Sequence, residues 1–130
     1  MMARKLEELQ LWQRALEFWD LIDGVLERPQ LQREPELQDQ LRRAADSILS
    51  NISEGFEQPT DRAFARYLYY AKGSTAEART RLLIASKRSI ISAEEFTERD
   101  DLGDQVARMT SGLIKYLRRS DRRDRGLGPE

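Results

Sequence analysis

The chain contains no cysteine and no histidine among its 130 residues. Without thiols it can form no disulfide and no thiolate metal site, and without imidazoles it lacks the commonest general base and transition-metal ligand. Nucleophile chemistry that relies on a Cys or on a His base is excluded, and so is the Glu-x-x-His di-iron arrangement of helical bundles. The seven glycines form no phosphate-cradling loop, and Gly73 stands alone inside a helical pattern. No apolar run approaches the about 20 residues that span a bilayer. The start, Met1 to Gln10, carries Glu7 and Glu8 where a signal peptide would be apolar. Nor does the charge have a strong sign, since 22 basic against 23 acidic residues leave −1. The expectation is a soluble, cytoplasmic, non-enzymatic chain with no cofactor, no metal and no membrane partner.

What is present is charge and helical periodicity. Charged residues make up 35% of the chain and hydrophobic ones 39%, the balance of long amphipathic helices with solvated outer faces rather than of a thick core. The length suits one domain, and association with other copies would supply the burial a slim bundle lacks. The stretch from Thr60 to Arg88 reads as one long central helix. Phe64, Leu68, Ala71, Thr75, Ala78, Leu82 and Ala85 recur at steps of four and three, the signature of a bundle seam. Beside that seam, turned by about 100°, runs a second stripe of Tyr67, Tyr70, Ser74, Glu77, Arg81 and Ile84. Gly73 and Ala76 add a third, small surface, so the central helix is expected to be enclosed on several sides.

The first helix is predicted from Lys5 to Arg28, with one apolar row of Leu9, Trp12, Leu16, Trp19 and Leu26 and another of Leu11, Ala15, Phe18, Ile22 and Val25. Pro29 should end it, and a polar connection, Gln30 to Glu34, leads to Pro35 at the first turn of the next. The second helix, Pro35 to Glu54, gathers Leu41, Ala44, Ala45, Ile48 and Ile52 on one side and Arg43, Ser47, Ser50, Asn51 and Glu54 opposite. Gly55 reads as a left-handed helix stop, Phe56 as a residue folding back, and Thr60 as the N-cap of the central helix. After a turn at Lys87 to Ile91, Ser92 and Glu95 form a capping box. Leu102, Val106, Met109, Leu113 and Tyr116 read as the seam of the last helix, where Gly103 and Gly112 each cost about 1 kcal/mol unless a neighbour needs the space. Four helices joined by short turns predict an all-α, antiparallel up-and-down four-helix bundle over residues 5–119. A flexible charged tail is expected over residues 120–130, close to the glycines at 126 and 128.

The polar residues suggest a candidate interface or binding stripe: Arg43, Ser47, Ser50, Asn51 and Glu54 on the second helix, with Tyr70, Ser74, Glu77 and Arg81 on the central one. One reading is a ligand or nucleic-acid site at a subunit boundary. The other, preferred because buried polar groups are normally paired, is a buried Arg43–Glu77 ion pair with Ser50, Asn51, Glu54 and Ser74 around it. Tyr67, Tyr69 and Tyr70 could stack bases, but tyrosine is also an interface residue, and that is the favoured role. Candidate nucleic-acid contacts are Arg42, Arg43, Arg79 and Arg81, or alternatively the charged C-terminal tail. Against them, the segment Arg118 to Glu130 holds five arginines and three acids, which leaves the body at about −3, whereas RNA or DNA binding draws on phosphate neutralisation. Charge runs usually mark solvated faces. Glu94, Glu95, Glu98, Asp100 and Asp101 read as first-turn acids favoured by the helix dipole rather than as catalytic carboxylates. Ser47, Ser50 and Ser53 lack a His base.

Three runs carry a resemblance. QLRRAA at Gln40 to Ala45, SILSNISEGF at Ser47 to Phe56 and FARYLYYAKGSTAE at Phe64 to Glu77 resemble the bacterial four-helix-bundle proteins first named after intervening sequences in 23S ribosomal RNA genes. The resemblance extends from about Leu11 to Leu117, with Asn51, Glu54, Gly55, Phe56, Phe64, Tyr69, Gly73, Ser74 and Glu77 at family-like spacing. It implies a homopentamer of four-helix subunits. More distantly it includes accessory proteins of diversity-generating retroelements, which engage a reverse transcriptase and nucleic acid. Two functions follow as expectations: a homo-oligomeric interaction scaffold, or an RNA- or DNA-binding accessory factor. The chain departs from the family in having Leu49 in place of a frequent proline and Ser89 in place of the usual glycine. Glu57, Gln58 and Pro59 stand where the family has glycine and basic residues.

Overall fold

The helices that open at Pro35, Asp61 and Ala93 start where the sequence supplies a start signal. The computed structural model describes residues 3–124 and 126. A 3-10 turn, Leu6–Glu8, leads into α1, Gln10–Leu26, but the two are not one helix from Lys5: Leu9 is extended (φ −75°, ψ 118°) and turns its side chain inward. Arg28 is extended as well (ψ 134°), as the residue before a proline prefers. Pro29 then opens a single-turn helix, α2, Pro29–Gln32, in the segment expected to be a polar connection. Its Leu31 is fully buried and plugs the end of the core.

α3 runs from Pro35 to Phe56, so it continues through Gly55 instead of stopping there. The glycine serves a different purpose. A Cβ on Gly55 would lie 2.7 Å from Tyr67 Cβ and 2.9 Å from Phe64 Cδ1, so its missing side chain lets the next helix cross close by. Phe56 does fold back, edge-on to Phe64 with ring centroids 6.0 Å apart. α4, Asp61–Lys87, begins on the predicted cap: Thr60 Oγ1 accepts from the Ala63 N–H at 3.1 Å. Every predicted seam residue of α4, Phe64 through Ala85, is buried.

α4 ends in a motif that demands a left-handed residue. Ile90 N–H donates to Ala85 O at 2.9 Å and Ser89 N–H to Ser86 O at 3.0 Å, a 6→1 and 5→2 pair of bonds of the Schellman type. Ser89 accordingly has φ +59°, the position where the resembling family carries glycine. The capping box at Ser92 and Glu95 is formed as expected, with Ser92 N–H to Glu95 Oε1 at 2.9 Å and Glu95 N–H to Ser92 Oγ at 3.0 Å.

α5 is Ala93–Asp124. The helix therefore includes residues 120–124 of the segment expected as a flexible tail; residue 125 and residues 127–130 lie outside the described residues. Of its predicted seam Val106 is buried as expected, but the other four positions are each displaced by one. Gly103, Val106, Thr110, Ile114 and Leu117 are buried, while Leu102, Met109 and Leu113 are half-buried and Tyr116 is exposed. Thr110 can sit inside because its hydroxyl donates to Val106 O at 2.7 Å, as Thr75 does to Ala71 O at 2.8 Å in α4. Gly103 is buried because Arg79 Cγ and Phe18 Cζ would lie 2.9 and 3.0 Å from a Cβ there; nothing crowds Gly112.

The result is an all-helical bundle, without a strand among the described residues. α1 packs against α3 and α5, and α4 packs more extensively against the same two. The core between them holds Phe18, Ile22, Leu31, Leu41, Ile48, Ile52, Leu68, Leu82 and Leu117 fully buried. At about 1.5–3 kcal/mol for each large apolar side chain, their removal from water is the main drive to fold. No helix among the described residues is long and apolar enough to cross a membrane.

Candidate functional site

The two flanks of α4 carry the polar residues that the core does not explain. On the α3 flank, small side chains let the helices bond directly. Ser47 Oγ and Ser74 Oγ lie 2.7 Å apart, and Asn51 Nδ2 donates to Ser47 O at 2.9 Å and to Ser47 Oγ at 3.0 Å. Thus three members of the predicted stripe, Ser47, Asn51 and Ser74, form one neutral cluster. Tyr70 extends it outward, 54% exposed and edge-on to Tyr67 with centroids 6.1 Å apart.

Of the remaining stripe residues, Arg43, Glu77, Arg81 and Ser50 find polar partners within their own helices. Arg43 and Glu77 make no buried ion pair: Arg43 points outward, 80% exposed, and bonds Asp39 at 3.0 Å one turn back in its own helix. Glu77 is half-exposed and approaches Arg81 at 3.9 Å, also within one helix. In both cases a partner four residues away is reached with less ordering of a long side chain than one across a groove. Ser50 returns its hydroxyl to Ser47 O at 3.3 Å, and Glu54 is exposed. Arg81 lies in a groove with Glu34, Leu37, Gln40, Ile84 and Arg88, and its Nε is buried without a hydrogen-bond partner.

On the α5 flank, charge replaces small size. Arg79 bonds Asp100 through Nε at 2.8 Å and through its terminal nitrogen at 3.2 Å, with Asp104 at 3.6 Å. The hydrogen bond it donates to Asp100 raises the pKa of the Arg79 guanidinium, against the opposing effect of burial. Held between two carboxylates and lying over Gly103, Arg79 is a helix-to-helix clamp and not an open phosphate contact. Arg42, by contrast, is exposed on α3.

A second clamp had no signal in periodicity. Arg28, just past α1, donates to Ile90 O at 3.2 Å and holds the Glu95 carboxylate with both terminal nitrogens. That hydrogen bonding, followed by the Ser92 backbone N–H, holds the Glu95 carboxyl well below its ordinary range, at about 2. Glu95 therefore belongs both to the predicted capping box and to the tie between α1 and α5.

Nearer the start of α4 and the end of α5, the charge is no longer balanced. A groove of about 260 Å³ is lined by Tyr69, Lys72, Ser111, Ile114, Lys115 and Arg118. Arg118 donates to the Tyr69 hydroxyl at 3.1 Å, and among the described residues no carboxylate lines the groove. Tyr69 is among the tyrosines considered for base stacking and Arg118 belongs to the charged C-terminal segment, but Lys72, Ser111, Ile114 and Lys115 are not among the predicted contacts. The signal that could have found them is the charge asymmetry of α5, whose first twelve residues hold six acids and one base while Ser111 to Asp121 hold three bases and one acid. No group of three or more metal-ligating side chains occurs among the described residues.

α4 also has an outer face. Tyr69, Gly73, Ala76, Thr80 and Leu83 follow at steps of four and three and are all exposed, with Tyr69 at 47% and Leu83 at 41%. A Cβ on Gly73 would meet nothing within 4 Å. The enclosure expected around mid-α4 is therefore not supplied by the chain's own helices.

The family described as 23S rRNA-intervening sequence protein matches residues 7–112. Among solved structures, the chain is similar to a protein of unknown function from the S23 ribosomal protein family of Bacteroides thetaiotaomicron VPI-5482, with 20% sequence identity and a TM-score of 0.73. That likeness covers 81% of this chain and 98% of the other, and at such identity it speaks to the fold alone. No curated protein matches the chain.

Proposed function

Because the chain belongs to the 23S rRNA-intervening sequence protein family, we propose that it is a non-enzymatic, homo-oligomeric interaction scaffold of the cytoplasm. Its subunit, in this reading, is an antiparallel up-and-down four-helix bundle of α1, α3, α4 and α5. Five copies is the number that the family resemblance implies. The absence of His and Cys supports a role without catalysis.

The observation that carries the reading is the outer face of α4. Small residues at Gly73 and Ala76, between exposed Tyr69 and Leu83, form a seam of helical period whose middle is left exposed by the described residues. Short side chains reduce the distance at which helices can pack, and exposed aromatic and aliphatic groups gain by leaving water. The polar Ser47–Asn51–Ser74 cluster and Tyr70 flank that seam and would set its register. Replacing Gly73 or Ala76 by glutamate tests the assignment, because neither position is buried in the subunit. Sedimentation should then give single chains with the helical circular dichroism retained, and an unchanged particle mass would overturn it.

A second reading, an RNA- or DNA-binding accessory factor, draws on the distant resemblance to retroelement accessory proteins. The specific observation in its favour is the unbalanced basic groove between α4 and α5. Titration with RNA showing no binding even at low salt would end it.

A further inference from the structure

We infer that the outer face of α4 docks on the α1 tryptophan strip of a second copy, formed by Trp12, Leu16 and Trp19 with Asp20 and Asp23 beside them. The inference rests on the scaffold reading above and names the surface that its exposed seam meets. Three independent features point to this pairing.

The first is charge. The fully exposed charged residues of α4 are Arg62, Arg66, Lys72 and Lys87 against Glu77, an excess of three positive charges. On α1, Arg14 is paired with Glu17 at 3.6 Å. That leaves Asp20, one turn after Leu16, and Asp23, one turn after Trp19, with no further cation in their helix. The α3 border of the strip adds Asp46 and, one turn earlier, Arg42, so the strip and its border hold two more acids than bases. Two α4 faces brought together would set like charge against like, whereas this strip offers the opposite sign.

The second is shape. Trp12, Leu16 and Trp19 follow at steps of four and three, so they share one side of α1, and all three are only half-buried. They are bulky, whereas α4 is narrowest in the middle of its outer face, where a Cβ on Gly73 would meet nothing within 4 Å. At about 1.5 Å per residue, Tyr69 and Leu83 bound a notch about 21 Å long, and the strip from Trp12 to Trp19 spans about 10 Å. Its side chains therefore fit between the ends of the notch, which two small-residue faces would leave unfilled. Trp19 is already held on one side, its Nε1 donating to Asp46 Oδ1 at 2.9 Å, so docking orders it little further.

The third is position. α1 and α4 each pack on α3 and α5, so they stand at opposite corners of the bundle and their outer faces point in different directions. A contact between unlike faces is heterologous, and repeated from copy to copy it adds subunits beyond two, as a closed ring does. Pairing of the α4 face with itself would stop at two copies.

The test is sedimentation of two full-chain variants, alone and mixed in equal amounts. Gly73→Glu blocks the α4 face, and Leu16→Lys sets a cation in the α1 strip against the basic face it would meet. Each alone should sediment as single chains, because one of its two faces is spoiled. Mixed, they should form a pair of about twice the 15.2 kDa chain and grow no further, since one intact α1 strip and one intact α4 face remain to meet. Asp20→Lys with Asp23→Lys should weaken association about tenfold or more, and this chain replaces Leu16→Lys in the mixture if the latter loses its helical circular dichroism. If the α1 variants keep the mass of the unaltered protein, or the mixture yields only single chains, the strip is not the counter-face; the inference falls and the scaffold reading stands. An α1 variant that pairs with itself would mean that α4 faces meet each other, with the same consequence. Full mass in Gly73→Glu, or an unaltered protein that is itself a single chain, overturns the scaffold reading and this inference together.

Discussion

The pairing of α3 with α4 and the pairing of α4 with α5 are of similar extent but are held by different forces. Between α3 and α4 the contact is made by missing volume: Gly55 admits Phe64 and Tyr67, and two serines bond across the gap. Between α4 and α5 it is made by charge, with Arg79 between Asp100 and Asp104. Close neutral packing responds little to salt or pH, whereas ion pairs respond to both. One central helix thus has a rigid flank and a tunable flank.

The comparison can be broken most sharply at Gly55. Gly55→Ala puts a methyl 2.7 Å from Tyr67 Cβ, and overpacking of this kind should lower stability by about 3 kcal/mol. Urea unfolding at low and high salt should return the same loss. Next comes Arg79→Ala, which leaves Asp100 half-buried beside Asp104 without its cation; a loss of about 2 kcal/mol is expected. Here the loss should shrink as salt rises, and equal salt sensitivity in the two variants would erase the distinction.

A pH dependence belongs to the neighbouring charged tie, in which Arg28, just past α1, holds Glu95 near the start of α5. Folding holds the Glu95 carboxyl down from 4.5 to about 2. Its contribution is therefore full above about 4.5 and is lost as pH falls toward about 2, because the unfolded chain takes up the proton first. Thermal melting across that window should show a decline in Tm that Glu95→Gln makes shallower. The smallest effect is expected at Ser89→Gly, which relieves a left-handed serine and should add about 1 kcal/mol. A fall in melting temperature instead would mean that the Ser89 side chain contributes more than its backbone strain removes.

How far the sequence could be read follows from the kind of residue in each seam. The α4 seam was legible because small and apolar types recur at steps of four and three, and Thr60 and the Ser92–Glu95 box are local signals independent of the rest of the chain. Apart from Val106, the α5 seam was misread by one position because its inner row includes Gly103 and Thr110. A threonine that bonds its own helix carries no polarity penalty inside, while the larger Met109 and Leu113 lie toward the N-terminal segment and the start of α1. Gly55 looked like a stop because a glycine made for close approach and one made for left-handed geometry are the same letter; only the position of Tyr67 tells them apart. Of the polar stripe, Ser47, Asn51 and Ser74 met because short side chains have one place to go. Arg43 did not meet Glu77 because a long side chain finds the nearest carboxylate, Asp39, along its own helix.

The central claim is that the exposed small-residue face of α4 is covered by other copies of the chain. Sedimentation equilibrium of the unaltered protein at micromolar concentration tests it most directly. The account predicts a particle of about five times the 15.2 kDa chain. A single species of 15.2 kDa that stays folded on dilution would contradict it.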